Sequence, residues 1–130
     1  MNFRKMYLSD ADFMLTLKNY PETRKYAIAS HDEIKREDHY KWLETNIKYF
    51  QIIELVDKAI GAVRIQDGEI SIWIDKEFWG KRVATMALNS LVEKGMWCKI
   101  VNGNVGSFKA FVRAGFVPVH YEDNYYILKK

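Results

Sequence analysis

The chain predicts an α+β fold with a central mixed, mostly antiparallel sheet flanked by helices. Three features of the sequence carry this expectation. Apolar residues recur at helical spacing before residue 49 and again after Gly80. Between these stretches the period changes to that of strands. Short turns, Asp57-Lys58 and Asp67-Gly68, join the β-rich runs 49–56, 59–66 and 69–75 into a meander, and Asp-Gly is a strong hairpin signal.

The elements follow in order. Residues 2–8 read as a short first strand. Ser9 followed by Asp12 has the spacing of a capping box, and Phe13, Met14 and Leu17 give the helix ending near Asn19 an apolar face. A second helix runs from about Arg36 to Lys48, where Tyr40, Leu43 and Ile47 recur at three and four residues. In the third β-run Ile70, Ile72 and Ile74 share one face, and Ser71, Trp73 and Asp75 the other. After Gly80, Ala84, Ala87, Leu88 and Leu91 define another helix, which Gly95 is placed to close in a left-handed conformation. Residues 97–101 read as a strand. Residues 105–114 read as a short helix with Phe108, Phe111 and Val112 inward, stopped by Gly115. Two strands, about 116–120 and 124–129, complete the order β-α-α-β-β-β-α-β-α-β-β, with residues 1–130 as a single domain.

Composition bounds the function. Hydrophobic residues make up 48% of the 130, with 19 aromatics (four Trp, eight Tyr, seven Phe), enough to build a core without a disulfide or structural metal. The one cysteine, Cys98, has no partner in the chain and reads as a core residue in a reducing, cytoplasmic setting. No apolar run approaches the roughly 20 residues that cross a bilayer. The net charge of +3 is dispersed, which argues against a nucleic-acid stripe. No Cys/His cluster has metal-ligand spacing.

The segment from Ile70 to Leu88 places a strand, a turn with Gly80 and the start of a helix in succession. Free amides and the positive dipole end of a helix make an anion site suited to a pyrophosphate. Gly80 lets the backbone approach, Lys81 and Arg82 add charge, and Ala84 keeps the helix start slim. A second segment runs Asn104-Val-Gly-Ser-Phe-Lys-Ala-Phe-Val-Arg-Ala-Gly-Phe116. Together the two resemble the GNAT superfamily of N-acetyltransferases. The family's Q/R-x-x-G-x-G/A signature falls on Trp79, Arg82 and Ala84, and its later N-x-x-S-x-x-x-F/Y-x-x-x-G-F pattern on Asn104, Ser107, Phe111, Gly115 and Phe116. Trp79 and Arg82 depart from the first signature, where Gln or Arg and a glycine are usual.

The resemblance implies acetyl-CoA as co-substrate, with no metal. It implies that Gly80, Lys81, Arg82, Val83, Ala84 and Thr85 receive the coenzyme pyrophosphate. The backbone of Trp73 and Ile74 would pair with the pantetheine arm, and Asn104 and Ser107 would bond the arm or an adjacent phosphate. Many family members carry a tyrosine acid where this chain has Phe111, so the thiolate leaves without that donor.

The first half would choose the acceptor. Leu17 to Tyr26, Ser30 to Ile34 and Glu37 to Leu43 are similar to GNAT domains that acetylate amino groups on nucleotide-linked sugars, through "N-x-P-E-x-R" and "E-x-H-x-x-W" stretches. That likeness makes His39 the expected catalytic base, with His31 and Trp42 binding substrate; Glu37 and Glu54 are weaker bases. The amine would attack the thioester directly. The partner expected is a small-molecule amine, with a homodimer as a candidate assembly. The alternatives are a protein N-terminal or lysine acetyltransferase and a non-catalytic acyl-CoA-binding module.

Overall fold

A computed structural model describes all 130 residues. The strands are β1 (Asn2–Lys5), β2 (Phe50–Leu55), β3 (Lys58–Gln66), β4 (Glu69–Ile74), β5 (Trp97–Val101), β6 (Val117–Glu122) and β7 (Tyr125–Lys129). They form one seven-stranded sheet in the order β1-β2-β3-β4-β5-β7-β6. Every neighbouring pair is antiparallel except β4 and β5. The helices are α1 (Ala11–Asn19), α2 (Pro21–Lys25), α3 (Arg36–Asn46), α4 (Val83–Leu91) and α5 (Val105–Arg113). The expected α+β class and the split of β4 between two faces are observed.

Each face of the sheet buries its own core. On one side Ile70, Leu88, Ile100, Phe111 and Phe116 pack beneath α4 and α5, with Ile72 and Ile74 against them. On the other, Met14, Leu17, Leu43, Phe50 and Ile52 pack beneath α1 and α3, with Trp73 against them. Burying each such side chain is worth about 1.5–3 kcal/mol, so these two layers fix the sheet between its helices. Arg4 ties β1 to the entry of α1 through both oxygens of Asp10, each at 2.9 Å, and to Glu54 of β2 at 2.9 Å.

The differences from expectation are local. The first strand stops at Lys5, and a 3-10 turn over Leu8–Asp10 leads into α1, with the Tyr7 amide donating to Asp10 rather than Ser9 acting as the cap. The unforeseen α2 arises because Tyr20 precedes a proline and is held extended at ψ 131°, which ends α1, while Pro21 opens the next helix at its first position. The β2–β3 turn is centred on Val56 and Asp57, both left-handed (φ 50° and 61°), one residue earlier than Asp57-Lys58. α4 ends at Leu91, and Gly95 at φ 96° belongs to the turn before β5 instead of capping the helix. In α5, Val112 is exposed, and Ala110 and Ala114 take its place inside.

Candidate active site

β4 and β5 keep a single register pair, Glu69 opposite Trp97, and then part. From Ile70 onward β4 is bonded to β3 alone, so a fork opens between the two strands. The chain leaves β4 through Asp75, whose carboxylate accepts from the Glu77 amide at 3.0 Å and closes a 3-10 turn over Lys76–Phe78. Gly80 (φ 76°) and Arg82 (φ 60°, ψ 21°) are both left-handed on either side of Lys81, and Val83 begins α4. The amides of Gly80, Lys81 and Arg82 donate to no backbone carbonyl. The first-turn amides of α4, Val83, Ala84 and Thr85, have no intrahelical acceptor by construction. A run of free amides at left-handed turn residues ahead of a helix N-terminus makes a nest of N–H groups suited to an anion. The side chains of Lys81 and Arg82 are exposed beside it. Arg82 occupies a conformation that glycine adopts without cost, which is why a glycine is usual at this place in the resemblance.

Trp79 turns back over the end of β4. Its indole Nε1 donates to the Ile74 carbonyl at 2.8 Å, and its ring meets Tyr20 edge-on at 5.5 Å. The Ile74 carbonyl, expected to serve a pantetheine arm, therefore already has a donor, and the Trp73 backbone, expected to do the same, pairs with Ala62 of β3 and is turned away from the fork. α2 lies across the open end. Tyr20 accepts from the Lys76 amide at 3.4 Å and Glu22 pairs with Lys76 at 2.6 Å on the β4 side. Tyr26 lies beside Gly103 on the β5 side, 3.6 Å from where a Cβ would stand.

The second expected segment caps α5. The Asn104 side-chain Oδ1 accepts from the Ser107 amide at 3.5 Å. A cavity of about 220 Å³ sits there, lined by Val101, Gly103, Asn104, Phe108, Lys109 and Tyr126. Phe111 is buried against Phe116, ring centroids 5.0 Å apart, so it packs the core and faces no substrate. Cys98 is buried as well, and burial pushes its thiol up to about 12, which leaves no thiolate at neutral pH. A wider recess at Arg36, Glu37 and Tyr40 has only those three walls, and Arg36 is committed to Asp12 at 3.0 Å. No three His, Cys, Asp or Glu side chains converge as metal ligands, and no helix is long and apolar enough to cross a membrane.

The acceptor half departs most from expectation. His39 is only 2% exposed, and its Nε2–H donates to the Ala11 carbonyl at 3.1 Å. The ring therefore ties α3 to α1, and burial, with the Lys18 charge second, holds its pKa below the usual value. A base must reach the incoming amine; this imidazole is enclosed in the core, which corrects the expected role. His31 lies in an exposed turn and bonds the Ala27 carbonyl of that turn at 3.0 Å. Glu54 is held by Arg4, and Glu37 is solvated. Trp42, in contrast, belongs to an aromatic row. It stacks on His39 (6.2 Å), meets Phe50 edge-on (5.6 Å), and Phe50 stacks on Trp73 (5.9 Å) at the fork. Lys18 of α1 lies over this row, its Nζ 3.9 Å from the Trp42 ring centroid. Neither Lys18 nor Arg64 below it was foreseen. The signal was present: Lys18 stands four residues after Met14, on the stripe that α1 turns inward.

Comparison with known proteins agrees with this geometry. Residues 1–117 match the family described as "Acetyltransferase (GNAT) domain". Among solved structures, a domain from Methanocaldococcus jannaschii superposes with a TM-score of 0.82 at 19% identity, covering 99% of this chain and 96% of that one. The ribosomal-protein-alanine N-acetyltransferase of Brucella melitensis gives 0.77 at 15%, covering 100% and 99%. The aminoglycoside acetyltransferase AAC(6')-Ib, solved with coenzyme A and kanamycin, gives 0.75 at 15%, covering 99% and 94%. At these identities the likeness is one of fold. No curated protein matches in sequence. With a family match over most of its length, a forked sheet and an amide nest at the fork's mouth, the chain belongs to the GNAT acetyltransferases.

Proposed function

We propose that the chain transfers acetyl from acetyl-CoA directly to a primary amine, and that the amine is carried on a nucleotide-linked amino-sugar. The observation that carries the first half is the fork between β4 and β5 beside the free amides of Gly80, Lys81 and Arg82. A pyrophosphate on that nest leaves the pantetheine arm aligned with the edge of β4 that Ile72 and Ile74 turn to the fork on either side of Trp73. Asn104 and Ser107 stand at the start of α5, where their polar atoms suit the arm or a phosphate. The neutral amine nitrogen attacks the thioester carbon, backbone N–H groups of the fork polarise the carbonyl oxygen, the C–S bond breaks, and the amine's proton is released to water. The coenzyme thiolate leaves without a side-chain acid, because Phe111 fills that place and a thiolate is stable near its pKa of about 8.5.

The lining of the α1/α3 face supports a sugar nucleotide over a protein acceptor. It is aromatic and basic (Trp42, Trp73, Lys18), whereas an N-terminal peptide amine favours an acidic groove. His31 and Trp42 remain the residues proposed to touch the acceptor. Two measurements test the reading. Acetyl-CoA at 100-fold over its Kd should stabilise the fold by about 2.7 kcal/mol, and UDP-linked amino-sugars should release coenzyme A faster than peptides or polyamines. No thermal shift at millimolar acetyl-CoA refutes the coenzyme site; turnover of peptides alone refutes the acceptor. Binding without turnover across the whole panel selects the acyl-CoA-binding module.

A further inference from the structure

α1, β3 and β4 bring two cations and a hydroxyl together and give them no acid. Lys18 is enclosed by aromatic rings, with Nζ 3.9 Å from the Trp42 centroid and 5.8 Å from that of Trp73. Arg64 lies in register with Ser71, on the face that α1 covers. Its Nε is shielded from solvent and bonds to nothing, and its one side-chain partner is the neutral amide of Gln66. The Ser71 hydroxyl takes part in no hydrogen bond within the chain, and the six ion pairs of the molecule all lie elsewhere. Glu69, the acid on the same face of β4, pairs with neither cation. A desolvated cation without a counter-charge is costly, and two side by side more so. Burial, and then the neighbouring Arg64 charge, pull the Lys18 ammonium down to about 8.

We infer that Lys18, Arg64 and Ser71 form an anion clamp that holds a phosphate or carboxylate borne by the acceptor itself, with Trp42 and Trp73 as walls for the attached ring. This rests on the proposed transferase reading, which puts the acceptor on the α1/α3 side of the fork. Trp73 and its neighbour tie the two places together, since the Trp73 ring faces the clamp while the next residue, Ile74, turns its carbonyl toward the fork. The clamp also selects against polycationic amines, which would meet two like charges before reaching the thioester.

The test holds coenzyme A at saturation, so that its phosphates fill the Gly80 loop, and follows tryptophan fluorescence during titration. The ligands are UDP-glucosamine, glucosamine 1-phosphate, glucosaminic acid and uncharged-arm glucosamine. Phosphate-bearing or carboxylate-bearing amines should bind at least roughly ten-fold tighter than glucosamine, the effect of one charge-assisted contact. The ranking among them separates a phosphate site from a carboxylate site. Lys18→Gln and Arg64→Gln should erase that preference and leave the KM for acetyl-CoA within about two-fold, while Lys18→Arg should keep it. Lys18→Gln should melt no lower than the native chain, since a costly charge is removed; should it melt lower, Arg64→Gln and Lys18→Arg decide. Equal affinity for charged and uncharged amines, or variants with native preference, overturns the clamp. A parallel coenzyme-release assay separates the two ideas. Turnover without anion preference removes the clamp and leaves the transferase. Anion binding lost in the variants, with no amine turned over, keeps the clamp and removes the transferase.

Discussion

Arg82 combines a backbone strain with a charge, and two substitutions separate them. At φ 60° and ψ 21° it is left-handed, which costs a residue with a Cβ about 1–2 kcal/mol. Arg82→Gly removes that cost and returns about 0.5–1 kcal/mol through the freer unfolded chain. The net gain is about 0.5–1 kcal/mol, or a melting temperature higher by about 2–5 °C. Arg82→Ala keeps the strained backbone and gains nothing. Both remove the guanidinium. A charge-assisted contact to a phosphate is worth about 1.5–3 kcal/mol, so both should weaken acetyl-CoA by roughly ten- to 150-fold, with the difference narrowing as salt rises. Thermal melts of the unliganded variants read the first effect, and calorimetric titration with acetyl-CoA the second. A glycine variant that melts no higher than the alanine variant refutes the strain argument. Undiminished or tighter acetyl-CoA binding in either variant refutes the contact and makes Arg82 an obstruction.

Three further outcomes follow from the structure. Val56→Asn should stabilise the protein by about 0.5–1 kcal/mol, measurable by urea unfolding, because a β-branched residue is poorly suited to φ 50° and this side chain is 91% exposed. His39→Ala should cost about 1–3 kcal/mol by orphaning the Ala11 carbonyl. The lowered His39 pKa favours the neutral ring in the fold, so native stability should hold above about pH 6.5 and fall as pH drops through the folded value, a slope His39→Asn should flatten. Arg4→Met should destabilise the fold at neutral pH. The Arg4 guanidinium holds the Asp10 carboxyl below its ordinary range, a stabilisation present above about pH 4 and lost as pH falls further, so wild type and variant should converge in acid melts.

Much of the frame was legible because it is written locally. The period change at residue 49, the Asp67-Gly68 turn and the apolar stripes of α1 and α4 each depend on neighbours within a few residues. The nest was legible for the same reason. The acceptor face was not. Helical spacing set His39 and Trp42 on one stretch of α3, but which of them meets α1 depends on packing between helices remote in sequence. His39 went inward and bonded Ala11, and Trp42 stayed at the rim. Lys18, Arg64 and Ser71 lie on three elements and meet only through the β3–β4 register and the placing of α1. The short α2 escaped notice because five residues carry too little periodicity; Pro21 was its one sign.

The fork after Glu69 and Trp97 also divides the molecule mechanically. β1 to β4 form one continuous ladder and β5, β7 and β6 another, with one register pair between them, the packing of α4 and α5 beneath, and the α2 segment across the open end as further ties. Such halves can open separately, so slow amide exchange in β3 need not imply slow exchange in β7. A ligand that bonds along the edge of β4 while resting on the start of α5 would stitch the halves into one cooperative unit. Occupancy would then raise protection on both sides of the fork together, and each cycle of coenzyme departure would unstitch them. The acceptor face, built on α1 and the β1–β4 half, would be steadied by that same stitching.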